Sequence, residues 1–160
     1  MADQDKYTLD QAQLVLAKKI HGETWRLLDN QARTDEDDVR MLAAAYASYY
    51  HWLNVGTVVN KQRGLWLLAR VYNVLGNAGS SVEYAMRCLE LTKQFKDEME
   101  DFDIFYAYEG IARANALAEN HDTALKYYDL AAEAAEVVKD KEDKELVLAD
   151  LEGGDWFGIK

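Results

Sequence analysis

Leu65-Trp66-Leu67-Leu68-Ala69-Arg70-Val71-Tyr72 and Tyr108-Glu109-Gly110-Ile111-Ala112-Arg113-Ala114-Asn115 are the two stretches on which the fold turns. Ala69 and Ala112 stand 43 residues apart at equivalent steps, and a second set of small and aromatic residues follows each. After the first come Ser81, Ala85 and Cys88; after the second come Ala124, Tyr128 and Ala131. Small residues belong where two helices cross closely, and large ones fill the gaps between them. Each stretch therefore reads as the first helix of a helical pair, closed by a second helix that meets it at small side chains.

The spacing Leu65, Leu68, Ala69, Tyr72, Gly76 and Ser81, Ala85, Cys88, repeated as Tyr108, Ile111, Ala112, Asn115 and Ala124, Tyr128, Ala131, resembles the tetratricopeptide repeat. The resemblance covers residues 62–138. The 43-residue offset exceeds the usual period of about 34, so helices or connections are longer than in that unit. Ser81 stands where Ala is usual and Asn115 where Tyr is usual. A pair in 8–55 keeps the helical period, and the same offset puts Asp38, Leu42 and Ala45 on the signature positions. The expected architecture is all-α: a right-handed superhelix of about three helical hairpins with a C-terminal capping helix, one domain over 1–160, a disordered stretch at 1–7 and an aromatic tail at 153–160.

Composition points the same way. The chain of 160 residues contains no proline, and Gly56, Gly76, Gly79 and Gly153-Gly154 fall at plausible helix ends. Helices are expected near 9–29, 35–54, 58–76, from Ser80 to 95, 102–119, 121–138 and 141–152. Thr8-Leu9-Asp10-Gln11 and Ser80-Ser81-Val82-Glu83 have the capping-box pattern, and Asp101 is a candidate cap for the fifth helix. The carboxylates of Asp35–Asp38 suit the positive end of the helix dipole. On the second helix Val39, Leu42, Tyr46, Tyr49 and Leu53 make one apolar stripe.

Net charge is −11, which makes nucleic acid a poor general partner because such binding rests on neutralising phosphates. No carboxylate occurs from Val39 to Val82, while Arg40, His51, Lys61, Arg63 and Arg70 do. The polar N-terminus lacks a basic-then-apolar order, and Met41–Leu53 is too short to span a bilayer, so a cytoplasmic protein with no membrane partner is expected. The single Cys88 excludes an intramolecular disulfide and reads as a buried small residue.

The tetratricopeptide resemblance implies that the first helix of each pair lines a concave groove. Carried over, it implies binding positions at Arg63, Trp66, Arg70 and Asn73, and at Tyr106, Glu109 and Arg113. Arg63, Trp66 and Arg70 share one helix face by spacing alone. Two guanidinium groups beside an indole suit a carboxylate or phosphate, and His51 is close in sequence. The plain structural alternative pairs Arg63 and Arg70 with Asp101, Asp103 or Glu109 and places Trp66 in the core.

Three histidines without i, i+4 pairing argue against zinc. Asp101-Phe102-Asp103 alone is a weak metal signal, and no phosphate loop, G-x-S-x-G or H-E-x-x-H is present. No cofactor or metal is expected. The leading expectation is a non-enzymatic module that binds a protein or peptide segment, acidic near Arg63 and Arg70. The alternatives are a small-molecule binder or enzyme with a pocket at His51, Arg63, Trp66 and Arg70, and a homo-oligomer whose tail fills the groove. Trp156, Phe157 and Ile159 are expected to pack, either on the last helices or, as favoured here, in self-association as a homodimer.

Overall fold

The computed structural model describes residues 6–160. Residues 1–5 lie outside the description, and with them most of the expected disordered N-terminus. Among the described residues there are seven α-helices and no strand: α1 (Leu9–Asp29), α2 (Asp35–Val55), α3 (Val58–Val74), α4 (Ala78–Gln94), α5 (Asp101–Leu117), α6 (His121–Glu136) and α7 (Lys141–Glu152), with one 3-10 turn at Lys96–Glu98. The chain divides into two compact units, Met1–Gly64 and Leu65–Lys160.

The 43-residue period is written into the helix starts. The second helices of the three hairpins begin at Asp35, Ala78 and His121, after the N-caps Thr34, Asn77 and Asn120. In the C-terminal unit both hairpin turns have one geometry. Asn77 N–H donates to the Tyr72 carbonyl at 2.9 Å, and Asn120 N–H donates to the Asn115 carbonyl at 2.9 Å. These are six-to-one closures that require a left-handed residue just before the donor. Gly76 supplies it with φ +76°; Glu119 supplies it with φ +62°, where a side chain is disfavoured.

The N-terminal unit closes its first hairpin differently. Arg33 reaches back so that its Nη1 donates to the carbonyls of Leu27, Leu28 and Asn30, capping the end of α1. Its Nε holds Asp38 at 2.8 Å. One cation thus satisfies orphan carbonyls that the other turns satisfy with backbone N–H groups.

Two helix starts differ from the sequence expectation. Helix α4 opens at Ala78, because Asn77 Oδ1 accepts from Ser80 N–H at 3.0 Å directly after the left-handed turn. Ser81 is therefore interior to α4 and buried, and its hydroxyl donates to the Ala69 carbonyl at 2.9 Å. Helix α5 is capped from Glu100, whose N–H donates to Asp103 Oδ2 at 3.0 Å. Asp101 is not the cap; its Oδ2 accepts from Lys139 N–H. Asp101 and Asp103 thus accept from two different main-chain N–H groups, those of Lys139 and Glu100.

The small residues of the two stretches and of the helices that follow them, Ala69, Ser81, Ala85, Cys88, Ala112, Ala124 and Ala131, are buried. In the N-terminal unit the inward face of α2 is Met41, Ala44, Ala45, Ser48 and Trp52. The bulky stripe read from the sequence does not face that core: Val39 and Leu53 are exposed, and Leu42 and Tyr49 are half-buried. Ala44, Ala45 and Ser48 keep the middle of the inward face low between Met41 and Trp52, and Tyr46 and Tyr50 lie on the outer side.

Candidate functional site

The most heavily organised polar cluster lies in the C-terminal unit and centres on Arg113. Arg113 and Glu109 sit one turn apart on α5, only 4% and 3% exposed, and Arg113 Nε donates to Glu109 Oε1. Trp66 from α3 donates its indole N–H to the other carboxylate oxygen, Glu109 Oε2, at 3.0 Å. A buried carboxylate persists only when its lone pairs are taken up in this way.

The rest of the Arg113 guanidinium is directed at main chain. Its Nη2 donates to the carbonyls of Asp150 and Gly153, the latter at 2.9 Å, and its Nη1 donates to the Asp155 carbonyl at 3.0 Å. Its plane lies 3.9 Å from the Trp156 ring centroid, a stacked cation–π contact. The aromatic tail is therefore folded onto its own unit. Trp156 is buried, meets Tyr128 edge-on at 4.9 Å and donates its indole N–H to the Leu151 carbonyl. Gly154 makes the approach possible: at φ +73° a Cβ there would sit 2.8 Å from Arg113 Nη1.

Tyr106 completes the far side. Its hydroxyl donates to Asp150 Oδ2, and its ring meets Trp66 edge-on at 5.1 Å. Burial, then the hydrogen bond to the Asp150 carboxylate, pushes the phenol well above its ordinary range. Asn73 binds the cluster from α3, donating Nδ2–H to the Arg113 carbonyl at 3.0 Å. Burial also raises the Cys88 thiol to about 12, so neither it nor Tyr106 ionises near neutral pH.

Arg70 is half-buried on α3 and takes part only through the field of its neighbours. Burial lowers its pKa, Arg113 acts in the same direction, and Glu109 and Asp150 oppose them. Beside it a cavity of about 10 Å³ is lined by Trp66, Arg70, Asn73, Ser81, Glu109 and Arg113. That is the room needed by one water, not by a phosphate or a metabolite.

Of the eight residues expected at a binding site, Trp66, Arg70, Asn73, Tyr106, Glu109 and Arg113 belong to this unit and to this cluster. Arg63 and His51 belong to the N-terminal unit. There His51 Nδ1 stands 3.4 Å from Gln13 Oε1 and its ring meets Tyr50 edge-on. Arg63 acts on His21, whose pKa is lowered first by burial and then by that charge. Among the described residues no three His, Cys, Asp or Glu side chains converge as a metal site would require. No helix among them is long and apolar enough to cross a membrane.

Sequence reasoning missed Asp150, Gly154 and Trp156 as partners of Arg113. The signal was present in part: two glycines followed by Trp156 mark a segment built to approach something closely. Nothing in the spacing names Arg113 as that something.

No protein-family model matches the chain, and neither the curated proteins nor the solved structures contain a significant match to it.

Proposed function

We propose that this chain is a non-enzymatic interaction module of the tetratricopeptide-like kind, and that the α5 face of its C-terminal unit is a peptide-binding cradle held by the chain's own tail. One observation carries the reading. The Arg113 guanidinium grips three main-chain carbonyls, at Asp150, Gly153 and Asp155, and stacks on Trp156. Carbonyl recognition by a buried cation, with one aromatic anchor, is how a helical surface holds an extended segment with little regard to most of its side chains. The 43-residue register of Thr34, Asn77 and Asn120 supports the repeat architecture that such modules use.

Chemistry favours binding over turnover at this site. Glu109 is consumed by Arg113 and Trp66, and the Tyr106 phenol is shifted away from neutral pH. The small-molecule alternative has less support, since the cavity beside Arg70 holds about one water.

The test uses the full-length Trp156→Ala chain, whose tail lacks its anchor, titrated with a labelled peptide of the natural sequence 153–160. Saturable binding is expected in the variant. The wild-type chain should bind at least about tenfold more weakly, because a short tether presents its own tail at roughly millimolar effective concentration. Equal binding to both chains, or none to the variant at saturating peptide, contradicts the cradle.

A further inference from the structure

The tail is not held evenly along its length. Within 153–160, Trp156 is the one buried side chain. The Arg113 plane covers its ring, Tyr128 meets it edge-on, and its indole N–H reaches the Leu151 carbonyl at 3.0 Å. Among the described residues Ile159, but not Phe157, packs against the core cluster that contains Trp156. Asp155 is exposed and is held by Arg113 through its carbonyl, a group every residue has. Its side chain accepts from Phe157 N–H at 2.7 Å, a bond within the tail.

Gly154 is exposed as well, yet a side chain on it is barred. At φ +73° a Cβ would stand 2.8 Å from Arg113 Nη1 and 3.4 Å from its Cζ. The end of a loose arginine would swing clear of such a contact. This one is tied: Nε to Glu109, Nη2 to the Asp150 and Gly153 carbonyls, Nη1 to the Asp155 carbonyl, and its plane to Trp156. Glu109 is fixed in turn by the Trp66 indole, and Trp66 lies so near α5 that a Cβ on Gly110 would stand 3.2 Å from its ring. Moving Arg113 breaks bonds in a buried site, where unpaired polar groups are costly. The backbone adds to the exclusion, since a left-handed φ disfavours an L side chain.

We infer that the cradle is selective for sequence: it admits a segment carrying glycine, then any residue, then tryptophan, with an aliphatic side chain three residues further on. Gly154, Trp156 and Ile159 are the chain's own copy of that pattern, and the partner is a protein that presents a Gly-x-Trp segment. The inference rests on the cradle reading and adds what the cradle selects.

Two measurements test it. The first titrates the full-length Trp156→Ala chain with labelled peptides of sequence 153–160 that differ at one position. Gly154→Ala in the peptide should weaken binding at least about tenfold. Trp156→Phe in the peptide, which removes the donor to Leu151, should also weaken it at least about tenfold. D-alanine at position 154 should stay within about threefold of the natural peptide, because its Cβ lies on the side away from Arg113 and a positive φ suits it. Asp155→Ser, which keeps a turn-forming side chain, should stay within about threefold too. The second measurement uses the otherwise natural full-length chain. There Gly154→Ala should speed exchange of the Trp156 indole N–H at least about tenfold, whereas Phe157→Asn, at φ +50° where Asn is tolerated, should leave it slow. A Gly154→Ala peptide that binds as tightly as the natural one overturns the selectivity and leaves the cradle standing. A Gly154→Ala chain whose indole stays as protected as in the natural chain overturns it equally. A natural peptide that does not bind removes the cradle, and the selectivity with it.

Discussion

The two units solve the same problem in opposite ways. Both are built from helical hairpins with second helices in one 43-residue register. Of the large apolar side chains exposed among the described residues, ten belong to the N-terminal unit and four to the C-terminal unit. The C-terminal unit closes its α5 face with α7 and the tail, and it carries nearly all of the net charge. The N-terminal unit is close to neutral, with nine Asp and Glu against eight Lys and Arg in residues 1–64, and leaves Val39, Tyr46, Tyr50 and Leu53 of α2 exposed. A repeat cannot bury every face by itself, so each exposed face needs either a cap or a partner. Here the C-terminal unit carries its cap, and the N-terminal unit leaves apolar side chains of α1 and α2 exposed.

The sharpest way to break the contrast is at Arg113. Arg113→Ala leaves Glu109 buried without its cation and releases the carbonyl of Asp150 in α7 and those of Gly153 and Asp155 in the tail, and losses of about 3–5 kcal/mol are typical when one partner of a buried pair is removed. Denaturant unfolding should show that loss, together with exposure of Trp156 by fluorescence.

The two matched turns give a smaller, paired effect. Gly76→Ala introduces a Cβ at φ +76° and should cost about 1–2 kcal/mol. Glu119→Gly relieves the equivalent strain at φ +62° and should stabilise by up to about 1 kcal/mol. Thermal melts of the two variants should move in opposite directions.

A pH dependence belongs to the N-terminal unit. His21 is held neutral: its Nε2 accepts from the Trp25 indole N–H at 3.2 Å, its Nδ1 is buried without a partner, and burial and Arg63 lower its pKa. Below the ordinary value of 6.5 the unfolded chain takes up a proton that the folded chain refuses. Stability carried by His21 is thus present above that pH and is lost as pH falls beneath it. Unfolding measured from pH 7 to 5 should show this slope, and His21→Gln should flatten it.

The smallest effect is expected on the exposed face of α2. Tyr50→Ser should change the stability of the monomer by no more than about 0.5 kcal/mol, since surface substitutions outside special features rarely do more. A loss comparable to that of Arg113→Ala would place Tyr50 in a core and erase the difference between the units.

The helices themselves were legible in the sequence because capping and small-residue spacing are local signals. Thr8 with Gln11 forms the expected capping box, and Ala69 and Ala112 are buried. Ser80 shows the limit: with Glu83 it has the pattern of a helix start but lies inside α4, because the cap is decided by the left-handed turn at Gly76. The stripe on α2 was visible, but not its direction. Periodicity finds a face; only the size of the opposing helix surface decides whether tyrosines or alanines fill the crossing. In the site, six expected residues gather, but what they gather around is a carbonyl-rich tail about 40 residues away along the chain. Main-chain groups leave no trace in sequence spacing.

The account stands most directly on the Trp156 indole N–H, which ties the tail that Arg113 holds to the Leu151 carbonyl at the end of α7. Its hydrogen exchange can be read by NMR in the full chain, with Trp156→Phe to assign the signal. The account predicts exchange slowed at least about 100-fold from the free rate, and a return toward that rate in Arg113→Ala. An indole exchanging at the free rate in the wild-type chain would contradict it, since the tail would then not be held.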